Sequence, residues 1–366
     1  MVNITHVDLL RLATSFPYAD QLQAVTNAST DHVSFLAYDA SFVTDVLGSN
    51  VTQKLVADLP WAAFHEAGVY NKATGKLYAT SNWNGSLDNP INVTVIDIHN
   101  DDKVSSIRYP NLAEANGAAA FYPVGSSPNS TAGQQIVFCD EGDLRRGPSQ
   151  LTVVDPATNK SEVILNNFLG RNFSSINDIE QHYHTGDLWF TDARYAYWQY
   201  FQVEPSIRPQ VYRFEPKTGV VQAVADYFIA PNGFEFSPDF KHAYVTDTGV
   251  HTFPGKDNLT APATIYRFDI TPDGKRLENR QVFAYSDQGF PDGIHTDTKG
   301  NVYSGTSDGV HVWNPAGVLI GKFGIGGNGV NNFAFVPGGM YIFNAYKLWK
   351  VTIKAEGRTV KRDFGL

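Results

Sequence analysis

Six oxygen-bearing side chains open six short hydrophobic segments of this 366-residue chain: Glu66, Asn116, Asn177, Asn232, Asp292 and Asn331. They recur at intervals of roughly 40 to 60 residues, the mark of a radial repeat. If the repeats close into a ring, these side chains converge on one axis and form a cation site that no single segment could build. Glu66, Asn177, Asn232 and Asp292 are the expected metal ligands. Two carboxylates balance a divalent charge and two amide carbonyls add neutral oxygen, which is calcium chemistry; magnesium demands a tighter octahedron. Zinc is not expected, because no Cys or His pair has structural-ligand spacing. Small residues follow the donors (Ala67-Gly68, Gly233, Gly293), as a crowded axis requires. Taken singly, each Asn-Gly or Asp-Gly is a turn dipeptide, and Glu66 beside His65 is an ordinary strand end. Their shared phase in separate repeats is what points to a site.

The elements that must position these groups are strands. After each polar start comes a hydrophobic run, then a tight turn such as Ala73-Thr74-Gly75-Lys76, Ser237-Pro238-Asp239 or Val336-Pro337-Gly338-Gly339. Second strands follow at Lys76–Thr80, Leu188–Thr191 and Ala243–Thr246, and third strands at Val93–Asp97, Leu151–Asp155 and Ile265–Asp269. Fourth, outer strands are legible at Val163–Leu165, Val220–Val224 and Gln281–Tyr285. Four strands per unit, six units and no helical periodicity predict an all-β, six-bladed β-propeller with antiparallel blades and a central metal site. Residues 56–366 are expected to form it as a single domain. Residues 1–55 are expected to pack on the propeller and close its ring, with a helix near Val7–Ala13 and a strand near Val33–Tyr38. Because the donors begin first strands, the loops from second to third strands overhang the same mouth. Those loops are the longest, at 192–209 and 247–262, and binding usually sits there. On this reading Asn116, Glu141 and Asp192 stand near the mouth and hold substrate hydroxyls. Strand alternation turns His65 and His295 away from the ligands beside them.

Composition narrows the function. A net charge of −9 with no basic cluster argues against nucleic acid. No apolar run is long enough to span a bilayer. Aromatics at 13% suit strands better than helices. The single cysteine, Cys139, leaves stability to packing. Nine Asn-x-Ser/Thr triplets, at Asn3, Asn27, Asn50, Asn84, Asn92, Asn129, Asn159, Asn172 and Asn258, lead to the expectation of a secreted glycoprotein whose signal peptide is absent from this chain. A monomer or homodimer acting on a small molecule is expected.

Phe64-His65-Glu66-Ala67, Asn177-Asp178, Pro231-Asn232-Gly233-Phe234 and Pro291–Asp297 together resemble the gluconolactonase/regucalcin (senescence-marker-protein-like) superfamily of calcium-dependent six-bladed propellers. Val310–Pro315 and Asn177–Tyr200 narrow the likeness to the fungal lactonohydrolases, which hydrolyse aldonolactones and pantolactone. The resemblance implies that Glu66, Asn177, Asn232 and Asp292 match the family's metal ligands, and that Asp292 matches the aspartate that activates water. Ile179 follows Asn177-Asp178 where the regucalcin branch favours Gly, and Ser175 stands where that branch has a substrate-binding Arg. Substrate preference therefore does not carry over from that branch. The expectation is a calcium-dependent lactonase opening aldonolactone- or pantolactone-like rings by metal-assisted water attack. The alternatives are a non-catalytic calcium-stabilised binding propeller, or a propeller enzyme of other chemistry such as a lyase or isomerase.

Overall fold

Short runs of alternating β-branched, aromatic and polar residues, cut by Gly, Pro and Asp turns, can satisfy their backbones only by pairing with one another. The computed structural model describes residues 2–126, 133–252 and 257–363 and arranges these runs as six antiparallel blades. From axis to rim, the first blade is Glu66–Asn71, Lys76–Thr80, Val93–Asp97 and Lys103–Ile107. The second is Ala115–Phe121, Gln135–Asp140, Gln150–Asp155 and Lys160–Leu165, and the third is Ile176–Gln181, Leu188–Asp192, Gln210–Glu215 and Val220–Ala225. The fourth is Pro231–Phe236, His242–Asp247, Thr264–Ile270 and Leu277–Tyr285. The fifth is Ile294–Thr296, Val302–Thr306, Gly309–Trp313 and Leu319–Gly324. The sixth opens with Phe333–Val336, Gly339–Asn344 and Lys347–Thr352.

First strands of successive blades touch around the axis, and Gly293 N–H donates to Asn331 C=O at 2.8 Å to join the fifth blade to the sixth. The architecture is the six-bladed propeller expected from the repeats. Between blades, aromatic faces supply the packing: Trp189 stacks on Phe234 at 6.1 Å, and Phe190 on Tyr212 within the third blade at 5.5 Å.

The N-terminal segment contributes to two blades. Thr52–Asp58 pairs antiparallel with Lys347–Thr352 and is the outer strand of the sixth blade. Ser34–Ala37 pairs antiparallel with Leu319–Gly324, and Ile4–His6 adds parallel to it, so the fifth sheet has six strands. Helices Leu9–Thr14 and Phe16–Asn27 lie between these strands; the second, with Pro17 in its first turn, has no counterpart in the sequence expectation. At the face opposite the mouth, the helix Arg358–Asp363 begins with an Arg358 side chain that is 1% exposed. It reaches Glu180 at 2.9 Å and Glu235 at 2.7 Å, on the first strands of the third and fourth blades. The C-terminal segment thus occupies the far end of the channel.

Candidate functional site

Glu66, Asn116, Asn177, Asn232, Asp292 and Asn331, one from each blade, line a single cavity of about 440 Å³ at the mouth. Three local devices bring them there. The first is a bulge: the pairing register of the first strand shifts between Ala67 and Val69, Ala115 and Ala118, Ile176 and Ile179, and Pro231 and Phe234. Asn116, Asn177 and Asn232 fall inside these shifts, leave the ladder and are re-aimed toward the axis, whereas Glu66 stays paired with Thr80 just before its shift. The second is close approach. A Cβ on Gly117 would stand 2.5 Å from Asn177 C=O, and one on Gly233 would stand 2.6 Å from Asp292 C=O. Only glycine lets neighbouring first strands come this near.

The third device is a pair of side-chain ties at the end of the second strand. Thr80 donates to Asn116 C=O (3.1 Å), Thr191 to Asn232 C=O (2.6 Å) and Thr246 to Asp292 C=O (2.9 Å). In each case a threonine of one blade pins the donor residue of the next. The aspartate that closes three second strands holds the chain just before a donor. Asp140 accepts from the N–H groups of Ala113 and Glu114, Asp192 from those of Ser174 and Ser175, and Asp247 from those of Ile229 and Ala230.

The amides are oriented by their partners. Asn232 Nδ2 donates to Tyr195 Oη at 3.2 Å, and the Asn116 amide donates toward Glu141, which turns each carbonyl the other way. Asn116 Oδ1, Asn177 Oδ1, Asn232 Oδ1 and Asp292 Oδ1 are buried and have no hydrogen-bond partner. The remaining carboxylate oxygens are held from the sixth blade: Asn331 Nδ2 donates to Asp292 Oδ2 at 2.7 Å and Asn332 Nδ2 to Glu66 Oε2 at 2.9 Å. Glu66 and Asp292 are electrostatic neighbours. Burial pushes the Glu66 carboxyl well above its ordinary range, with the Asp292 charge adding to it. Burial raises Asp292 to about 6. Buried acceptors without donors are costly to leave unsatisfied. Among the described residues no group of three or more His, Cys, Asp and Glu side chains could hold a metal. Here two carboxylates share the centre with amide carbonyls, a donor set that suits a hard cation.

All four expected ligands thus face one cavity. The three residues expected to hold substrate hydroxyls fare differently. Asn116 lines the cavity with its carbonyl beside those of Asn177 and Asn232. Glu141 is 1% exposed behind Asn116, bonded to Ser175 Oγ, and burial raises its carboxyl to about 7. Asp192 is fully buried and its two oxygens are spent on backbone N–H groups, so it positions Asn177 and does not meet the cavity. His65 lines the cavity, contrary to the alternation argument, because it precedes the strand that begins at Glu66; burial lowers it to about 4. His295 lies below, 3.1 Å from Asn332 and 3.7 Å from Glu235.

The remaining walls come from loops the repeat pattern does not describe: Trp83, Tyr195, Gln199, Tyr200, His251 and Phe290. Trp83 packs on Phe201 at 4.7 Å, and the His251 ring stacks on Phe290 at 5.0 Å. The long insertions at 192–209 and 247–262 are the signals in the sequence that marked this rim; Trp83 and Phe290 had none.

Comparison with known proteins agrees with this fold. Lactonohydrolase oryL of Aspergillus oryzae is 32% identical over 78% of this chain and 66% of its own length. A gluconolactonase from Xanthomonas campestris shares the fold with a TM-score of 0.69 at 24% identity, over 89% of this chain and 96% of that one. A calcium-binding regucalcin from Agrobacterium tumefaciens does so with a TM-score of 0.57 at 15% identity, over 83% and 95%. Residues 94–345 match the SMP-30/gluconolactonase/LRE-like region, and the chain belongs to that family.

Proposed function

We propose that this protein is a calcium-dependent lactone hydrolase acting on aldonolactone- or pantolactone-like rings, with Glu66, Asn177, Asn232 and Asp292 as the metal ligands and Asn116 beside them. The observation that carries this reading is the set of four unpartnered buried oxygens, from four blades, around a carboxylate pair. Calcium bound there would act as a Lewis acid on the lactone carbonyl and on the oxyanion formed from it.

The chain's own residues supply the rest. Trp83, Tyr195 and Phe290 enclose the ring and exclude bulk water. Asp292, one oxygen fixed by Asn331, accepts a proton from the attacking water as the new C–O bond forms. The ring C–O bond then breaks and the same proton passes to the leaving alkoxide, so the product is a hydroxy acid. Tyr195, held by Thr248 and Asn232, keeps the Asn232 carbonyl aimed at the centre.

The test is a pH-indicator panel of aldonolactones and pantolactone, run with calcium and with chelator. Acid release that disappears with chelator and in Asp292→Asn supports the reading. Silence toward every lactone, with calcium still raising the melting temperature, would favour a binding propeller. Secretion as a glycoprotein is part of the proposal. Asn3, Asn27, Asn50, Asn84, Asn159, Asn172 and Asn258 are exposed, while Asn92 is half-buried with Oδ1 accepting from Arg108. Asn129 lies outside the described residues.

A further inference from the structure

The cavity over the carboxylate pair does not end at its aromatic wall. A second lobe of about 620 Å³ adjoins it, and the two share His251, Phe290, Asp292 and Asn331. Asp292, placed above as the base, is thus common to both spaces. The stacked His251 and Phe290 rings form the partition, and Asp257 holds the imidazole from behind at 2.9 Å. Each lobe alone falls within the size of an ordinary small-molecule site. A bare five- or six-membered lactone leaves the second one empty.

The walls of that lobe have a definite chemistry. Val250, Leu259, Tyr285, Phe290 and Val330 supply apolar surface. Leu259 is 79% and Tyr285 57% exposed, large apolar groups that a ligand would cover. Its acidic groups are Asp257, committed to His251, Asp287, committed to Lys322 at 2.8 Å, and the shared Asp292, whose Oδ2 accepts from Asn331. No lysine or arginine lines the lobe among the described residues. An anionic group would meet carboxylates there with no lysine or arginine facing it, and away from Asp292 an additional cation would find the acids already paired.

The geometry points to a lactone that carries an uncharged, predominantly apolar arm on its ring: the ring sits over the carboxylate pair and the arm lies in the second lobe, past His251 and Phe290. This rests on the lactonase reading and specifies the substrate class for the same site.

Three probes separate the possibilities: γ-butyrolactone, the same ring with a butyl arm, and the same ring with a carboxyethyl arm. The calcium-loaded protein should hydrolyse the butyl-armed lactone with a kcat/KM at least about tenfold above that of the bare ring, and should disfavour the carboxyethyl one. Leu259→Asp, on an exposed side chain that the fold does not need, should reduce the butyl-to-bare ratio several-fold. Asn328→Trp, which narrows the lobe from its exposed rim, should do the same. Equal hydrolysis of all three probes, or variants that leave the ratio unchanged, overturns the arm and leaves the lactonase intact. If none of the three is hydrolysed while an aldonolactone or pantolactone is, the arm falls and the lactonase stands; silence toward both sets sinks both.

Discussion

Thr246 offers the sharpest test of how the centre is held. Its hydroxyl donates to Asp292 C=O at 2.9 Å and accepts from Gly233 N–H at 2.7 Å. Those partners belong to one proposed ligand and to the neighbour of another, Asn232. Thr246→Val keeps the shape and removes the hydroxyl, stranding a buried donor and a buried acceptor. Each unsatisfied group costs about 1–3 kcal/mol, so the loss should be roughly 2–6 kcal/mol in stability. Loosening the supports of metal ligands typically costs about 10- to 100-fold in metal affinity. Calorimetric titration with calcium, beside thermal unfolding of the metal-free protein, reads both quantities. Thr246→Ser, which keeps the hydroxyl, should restore most of the affinity. If Thr246→Val loses stability and binds calcium as tightly as the parent, the tie is structural only and the positioning argument is refuted.

The raised carboxylates imply a pH dependence of definite sign. Asp292 is held at about 6 against an ordinary 3.8, so the folded metal-free chain binds that proton more tightly than the unfolded one. The associated stability is full below about pH 4 and lost as pH rises through 6, about 3 kcal/mol at roughly 1.4 kcal/mol per unit. Calcium replaces the proton, so its increment in melting temperature should grow from pH 4.5 to pH 7.5; an equal increment at both ends contradicts the carboxylate pairing. Arg358→Ala leaves Glu180 and Glu235 buried without their cation, and should destabilise by about 3–5 kcal/mol. An unchanged melting temperature for that variant would show that the far end of the channel does not need its plug. Expressed through a eukaryotic secretory route, the protein should lose mass on treatment with an endoglycosidase, with no change expected at Asn92 in peptide maps.

The donors were legible because each sits at the same phase of a repeat, and a repeat is a local pattern. Glu66, Asn177, Asn232 and Asp292 face one cavity for that reason. Asp192 was misplaced because its position at the end of a second strand is near the mouth in sequence terms, while its side chain turns back onto Ser174 and Ser175. The same residue type at Asp140 and Asp247 does the same work, and that recurrence was the available signal. His65 was turned the wrong way because it precedes the strand that begins at Glu66, outside the span where alternation holds. His251, Trp83 and Phe290 come from loops, where no period constrains the side chain. The parallel strand Ile4–His6 was missed because three residues carry too little pattern to distinguish a strand.

Metal stoichiometry tests the central claim most directly. Elemental analysis of the purified protein, after dialysis against calcium, should find one calcium per chain, and Glu66→Gln/Asp292→Asn should hold none while keeping its far-ultraviolet circular dichroism. A folded parent without bound metal, or a double variant that retains it, would contradict the account.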